Sequence, residues 1–164
     1  MIESRRRRRD IAFALLSVAA VVSASVLAQI ATFPNIPGWY ASLAKPAFNP
    51  PNAVFGPAWT TLYGLMAFAA WRILRMPSHT PGRTAALAAF VLQLALNVAW
   101  SWMFFAAQSP LLGLINIVPQ LAAIVATIVL FSRLDRIAAL CLVPLAAWVA
   151  FATVLNAAIW WLNR

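Results

Sequence analysis

Five stretches of this chain, at about 11–30, 54–71, 84–107, 110–131 and 137–162, run without a single charged side chain. Crossing the hydrocarbon core of a bilayer, about 30 Å, takes roughly 20 apolar residues at helical rise. In lipid no water is present to bond an exposed backbone N–H or C=O, so segments of this kind must close their hydrogen bonds internally as helices. None of the five alternates polar and apolar positions as a barrel strand would. The pattern predicts an all-α integral membrane protein, a five-transmembrane-helix bundle forming one domain over 1–164.

Within these runs the few polar positions are periodic. On the third run Gln93, Asn97, Trp100 and Phe104 are spaced by four, three and four. At about 100° per residue that keeps them within about 40° of one line. The second run repeats the arrangement with Phe55, Trp59, Tyr63 and Met66, the fourth with Asn116, Gln120, Ala123 and Thr127, and the fifth with Trp148, Ala152 and Asn156. An amide facing acyl chains is costly, so the four seams are expected to face the bundle interior. Each amide taken singly fits plain interhelical packing equally well. Aromatic rings beside amides on the same seams point further, to an apolar pocket with a few orienting polar groups.

Three of the four connections are short, which predicts consecutive helices packed as antiparallel neighbours. The first connection, 31–53, is longer and carries Pro34, Pro37, Pro46, Pro50 and Pro51 with Phe33, Trp39, Tyr40 and Phe48. A disordered linker would be polar and poor in aromatics, so an ordered lid against the helix ends is expected. A loop resting in the headgroup layer through its aromatic rings fits the same composition.

Composition sharpens the class. The chain is 64% hydrophobic and 9% charged, against about 25% charged in a soluble domain. The net charge of +9 resides at the ends and in loops, since Glu3, Asp10 and Asp135 all lie outside the apolar runs. Five of the twelve cations form the arginine run 5–9 ahead of an apolar stretch rather than a patch on a folded face, which excludes a nucleic-acid surface. The same run resembles the start of a secretory signal with a cleavage site near Ala28. The apolar stretch, however, is longer than the core of such a signal, which takes only about two to four helical turns. A first membrane span is the stronger reading. Cations are retained on the cytoplasmic side. The arginine run, Arg72, Arg75, Arg83, Arg133 and Arg136 therefore predict a cytoplasmic N-terminus and even-numbered loops, with the first loop, Lys45 and Arg164 on the far side. A bacterial inner membrane suits this pattern. One cysteine, Cys141, leaves no disulfide or cysteine metal site within a chain.

The stretch Trp39-Tyr40, Leu43, Lys45-Pro46, Pro50-Pro51, Phe55-Gly56-Pro57, Trp59-Thr60 and Leu62-Tyr63 resembles the signature of the translocator proteins, also called tryptophan-rich sensory proteins or peripheral-type benzodiazepine receptors. Further matches are Gln93, Leu96-Asn97, Trp100 and Phe104-Phe105 on the third run, and Pro144, Trp148, Ala152 and Leu155-Asn156 on the fifth. The resemblance implies five helices around a pocket that opens toward the first loop, in a homodimer embedded in membrane lipid. Because relatives are also placed in outer membranes, it leaves an outer membrane open beside the bacterial inner membrane. It implies a receptor for porphyrins such as protoporphyrin IX, sterols and synthetic isoquinoline ligands, with no cofactor required. Carried over residue by residue, the ligand contacts would be Trp39, Tyr40, Pro50, Phe55, Trp59, Tyr63, Asn97, Trp100, Phe104, Trp148, Ala152 and Asn156. Lys45 would partner a propionate, or else snorkel to the membrane surface as an ordinary interface cation.

Some positions depart from the family pattern. Ala47 and Phe48 replace tryptophans before the two prolines, Asn116 stands where relatives often carry a carboxylate, and the absence of tyrosine after Tyr63 removes the sterol-recognition pattern from the fifth helix. The single histidine, His79, lies in a loop, so hydrolytic and metal-dependent catalysis have no visible machinery. The resemblance leaves one chemical alternative, light- and oxygen-dependent porphyrin breakdown at Trp59 and Trp148, and one transport alternative, passive carriage of a porphyrin or lipid. Coupled transport normally uses intramembrane charges, which these runs lack. For the homodimer, small residues spaced by four occur at Ala85 and Ala89, at Ala95 and Ala99, and at Ala20, Ala24 and Ala28.

Overall fold

A computed structural model describes residues 2–164. It contains α1 (Ile2–Thr32), α2 (Asn52–Leu74), α3 (Arg83–Ser101), α4 (Pro110–Ser132) and α5 (Arg136–Leu162), and no strand among the described residues. All five helices are long and apolar enough to cross a membrane. Their outward faces are bare hydrocarbon: Leu15, Val91 and Leu140 are 65%, 63% and 66% exposed, an arrangement suited to acyl chains rather than water. The helices continue through Pro57, Pro119 and Pro144.

Helix α1 begins well before the apolar stretch, because the arginine run 5–9 continues it. Arginine is a good helix former, and Glu3 in the first turn opposes the positive end of the helix dipole. Its length of 31 residues corresponds to about 46 Å at helical rise, so the basic end projects beyond the hydrocarbon. The third span is α-helical only to Ser101 and then widens into a π-turn, Trp102–Ala106. The Ala107 N–H reaches back to the Trp102 carbonyl at 2.8 Å, and the Ser109 N–H to that of Phe104 at 3.1 Å. Side-chain caps fix the two tight reversals that follow. Ser109 Oγ accepts from the Leu112 N–H at 3.2 Å before α4. Asp135 Oδ1 accepts from the Ile137 and Ala138 N–H groups at 2.9 and 3.1 Å before α5.

Around the bundle the helices close a ring in the order α1, α2, α5, α4, α3. Consecutive helices are neighbours as the short connections predict, except for α2 and α3, which touch only sparsely. The physical reason is length. The connection 75–82 can reach about 26 Å when extended. That is enough to step past one helix, whose diameter is about 10 Å.

One half of the bundle, the end carrying Arg72, Arg75, Arg83 and Arg136, is packed solid. Met66, Ala69 and Ile73 of α2 interlock there with Ala86 and Phe90 of α3, Phe131 of α4, and Ala138 and Leu142 of α5. The Phe90 and Phe131 rings stack at 6.0 Å. Polar clasps seal this base. Arg72 Nε meets Asp135 Oδ2 at 2.7 Å, Arg75 meets Asp10 at 3.7 Å, and Arg83 donates to the terminal α2 carbonyls of Ile73 and Leu74.

Candidate functional site

The other half is hollow. A cavity of about 810 Å³ lies between the helices, walled by all five. The sequence-derived seams explain it: none of their residues is exposed, and their lid-side members form the wall. Phe55, Trp59 and Tyr63 come from α2, Asn97, Trp100 and Phe104 from α3 and its π-turn, and Trp148, Ala152 and Asn156 from α5. Asn116, although higher on α4, is off the wall, and Met66, Gln93, Ala123 and Thr127 lie lower, outside the cavity as well. There Gln93 Nε2 donates to Met66 Sδ at 3.7 Å and Thr127 bonds its own helix at the Ala123 carbonyl.

The polar groups of the wall lock to one another. Tyr63 OH donates to Asn97 Oδ1 at 2.9 Å, joining α2 to α3 across the ring. The Trp100 indole N–H donates to Asn156 Oδ1 at 3.1 Å, and Asn156 Nδ2 donates to the Pro110 carbonyl at 2.7 Å. Trp100 lies flat on Phe104, with ring centroids 4.9 Å apart and planes 17° from parallel. Phe55 meets Trp148 edge-on at 5.8 Å, and Trp59 sits tilted on Tyr63 at 5.4 Å. Aromatic faces and edges are thus fixed before any ligand arrives, which lowers the ordering cost of binding. No charged side chain lines the cavity among the described residues.

The first connection covers the mouth. Helix α1 runs on through a 3-10 turn, Phe33–Asn35, and a π-turn, Ile36–Tyr40. Tyr40 is buried on the cavity wall, and its hydroxyl donates to Asn49 Oδ1 at 3.2 Å. Asn163, just past α5, latches this cover: its Oδ1 accepts from the Ala44 N–H and its Nδ2 donates to the Ala44 carbonyl, each at 2.9 Å. Gln108 Nε2 adds a bond to Asn35 Oδ1 at 3.1 Å.

Three of the sequence-predicted contact residues stand off the cavity wall. Trp39 packs edge-on against Phe104 at 5.4 Å and Phe105 at 6.3 Å, backing the wall from behind. Lys45 places Nζ 4.6 Å from the Tyr40 ring centroid and donates to the Leu43 and Ala41 carbonyls, so its ammonium braces the cover from outside. Pro50, whose carbonyl accepts from Asn49 Nδ2, belongs to the cover and not the wall.

Other wall residues escape the sequence reading. Helix α1 contributes Val21, Ser25, Gln29 and Thr32; Gln120 of α4, on the wall too, belongs to its sequence-derived seam but not to the contact set that the resemblance implies. The spacing of Ser25, Gln29 and Thr32, four then three, repeats that of the other seams and is the available signal. Gly113 is structurally required: a Cβ there would lie 2.8 Å from Asn156 Oδ1 and 2.8 Å from Phe104 Cδ2. Of the small-residue pairs considered for a homodimer, Ala24 and Ala28 are buried within the chain itself, whereas Ala85 and Ala95 are exposed.

The sequence pattern of the TspO/MBR family matches residues 15–162. The chain belongs to the TspO/MBR family. It is 38% identical over 150 residues to the tryptophan-rich protein TspO of Archaeoglobus fulgidus, covering 90% of this chain and 94% of the relative. It is 37% identical over 123 residues to the human translocator protein, covering 74% of this chain and 73% of the relative. To the tryptophan-rich sensory protein of Cereibacter sphaeroides it is 38% identical over 118 residues, 72% of each chain. This TspO/MBR protein therefore joins a family whose members are named for sensing and translocation, and its five apolar helices make it an integral membrane protein.

Proposed function

We propose that this TspO/MBR protein is a membrane receptor for flat, largely apolar pigments of the porphyrin class, held in the cavity beneath the first loop. The observation that supports this reading most directly is the wall itself. The aromatic side chains of Tyr40, Phe55, Trp59, Tyr63, Trp100, Phe104 and Trp148 surround a space of about 810 Å³ together with the amides Asn97, Gln120 and Asn156. The volume falls inside the range of about 300–1,000 Å³ typical of small-molecule sites. Rings fixed in mixed face and edge orientations suit a planar π-system, and the amides suit a few polar substituents at its rim.

Orientation belongs to the same proposal. The base carries Arg72, Arg75, Arg83, Arg133 and Arg136 around the basic start of α1. This charge favours placing the base in the cytoplasm and the covered mouth on the far side of a bacterial inner membrane. Cysteine-accessibility labelling from each side tests this placement.

Titrating purified protein in detergent with protoporphyrin IX is expected to quench tryptophan fluorescence saturably. Trp148→Ala removes one wall indole and is expected to weaken binding about tenfold, equivalent to ~1.4 kcal/mol. Quenching that never saturates, or that Trp148→Ala leaves untouched, would overturn the reading.

A further inference from the structure

The cavity wall is shut on three helices and open between the other two. Every wall residue supplied by α3 and its π-turn, by α4 and by α5 is buried or half-buried. The exposed ones lie on α1, its continuation, and α2. On α1 they are Val18, Val22 and Val26, at 49%, 52% and 50%, with Gln29 and, one residue past the helix, Phe33. On α2 they are Asn52, Gly56, Thr60 and Gly64, spaced by four and so stacked along one stripe. A Cβ on Gly56 or Gly64 would meet no heavy atom within 4 Å, so nothing from α1 packs against the stripe at these two levels.

The fastenings of α1 explain the gap. At the base the Trp71 indole N–H of α2 donates to the Asp10 carbonyl at 3.3 Å, and Arg75 pairs with the Asp10 carboxylate. Higher up α1 is tied to the opposite neighbour, because the Trp102 indole N–H of the π-turn donates to the Leu27 carbonyl at 3.2 Å. Above Asp10 no hydrogen bond joins α1 to α2 among the described residues. The two helices therefore part above the base and leave a slot that faces the acyl chains. The slot is graded along its height, with Val18, Val22, Val26 and Gly64 toward mid-bundle and Gln29 and Asn52 at the cover's end. That order, apolar and then polar, follows the profile of the bilayer beside it.

The covered mouth is the opposite case. Asn163 holds the cover to α5 through two bonds to Ala44, and Gln108 holds it to the α3–α4 reversal through Asn35. A flat apolar pigment dissolved in the bilayer reaches the slot without entering water, whereas the mouth demands both aqueous transfer and the breaking of these bonds. We propose that the slot between α1 and α2 is the entrance to the cavity, through which bilayer-dissolved amphiphilic pigments pass sideways from the lipid. This route rests on the porphyrin-class reading of the same cavity.

The test uses full-length protein in phosphatidylcholine vesicles and protoporphyrin IX dimethyl ester, which carries no charge and resides in the hydrocarbon. Stopped-flow tryptophan quenching gives the association rate, and dilution into empty vesicles gives the dissociation rate. The double variant Gly56→Leu, Gly64→Leu fills the slot at the two open levels. It is expected to slow association and dissociation alike by about tenfold, since a narrowed passage raises the barrier crossed in both directions. Thr60→Trp, at the level between them, repeats the comparison should the double variant fold poorly. Asn163→Ala, which frees the cover, is expected to change either rate by less than about twofold. Unchanged rates in the slot variants overturn the entrance, and a dimer that dissociates in the same variants would assign the stripe to subunit contact. Slowed association with unslowed dissociation also overturns it, since the stripe would then be a ligand contact and not a passage. Faster exchange in Asn163→Ala would make the mouth the route. Each of these results leaves the pigment reading standing, whereas wild-type protein that shows no saturable quenching by the ester overturns both.

Discussion

Replacing Gly113 with alanine is expected to destabilise the protein, although alanine is the better helix former by about 1 kcal/mol. The new methyl group would sit 2.8 Å from Asn156 Oδ1, 2.8 Å from Phe104 Cδ2 and 3.1 Å from Phe104 Cβ. Neither neighbour can retreat cheaply. Asn156 is held from two sides, by the Trp100 indole and the Pro110 carbonyl, and Phe104 is stacked on Trp100 and edge-packed on Phe105. Overpacking of this kind costs about 1–3 kcal/mol, and a lost or stretched Trp100–Asn156 bond adds about 1 kcal/mol. The penalty of about 2–4 kcal/mol exceeds the propensity gain, leaving a net loss of about 1–3 kcal/mol. Gly64→Ala is the control, because Gly64 lies in mid-helix with no heavy atom within 4 Å of the added carbon. It should be neutral or stabilising by up to about 1 kcal/mol. Thermal unfolding in one detergent, followed by tryptophan emission, compares the two. A Gly113→Ala midpoint equal to or above that of Gly64→Ala would refute the close approach of α4 to Asn156 and Phe104.

Other outcomes follow from the same contacts. Partial burial alone would raise the Asp135 carboxyl, but hydrogen bonds from the Ala138 and Ile137 N–H groups and the Arg72 guanidinium outweigh it and hold the group below its usual value of 3.8. Its stabilising effect is therefore complete only above about pH 5 and is lost progressively as pH falls through and below its usual value. Between about pH 5 and 3 the wild-type midpoint should drop more steeply than that of Asp135→Asn, and parallel curves would count against it. Tyr63→Phe strips Asn97 Oδ1 of its donor and should cost about 1–3 kcal/mol. Adding Asn97→Leu should then cost less than it does in the wild-type background, and strict additivity would deny the coupling. Because Lys45 braces the cover from outside, Lys45→Met should change affinity for an uncharged porphyrin ester by less than about twofold. A tenfold loss would put the ammonium inside the cavity.

The spans are legible because bilayer thickness converts directly into run length, and the seams because polar groups in lipid must turn inward. What stays hidden has identifiable causes. Helix α1 carries no amide-aromatic seam, and Ser25, Gln29 and Thr32 sit among so many valines and alanines that its part in the wall is only faintly marked. The π-turn at Trp102–Ala106 buries Phe104 and Phe105 together. Local composition does not encode such a widening, which depends on the reversal into α4. The latch at Asn163 joins residues 119 positions apart, a separation no periodicity reports. Family resemblance points Lys45 and Pro50 at the ligand, yet a motif residue can serve the cover as readily as the cavity. The ring order likewise depends on how far connection 75–82 reaches, a property of its path and not of its sequence.

The division of the bundle into a dense base and a hollow upper half has an evolutionary corollary. Every helix except α1 spends some turns on interlocked Met66, Phe90, Phe131 and Leu142 and others on the cavity wall. Folding energy and guest selectivity therefore reside at separate heights on the same helices. Descendants of such a scaffold can exchange side chains around the hollow, and so acquire new guests, while the base continues to hold the membrane architecture together.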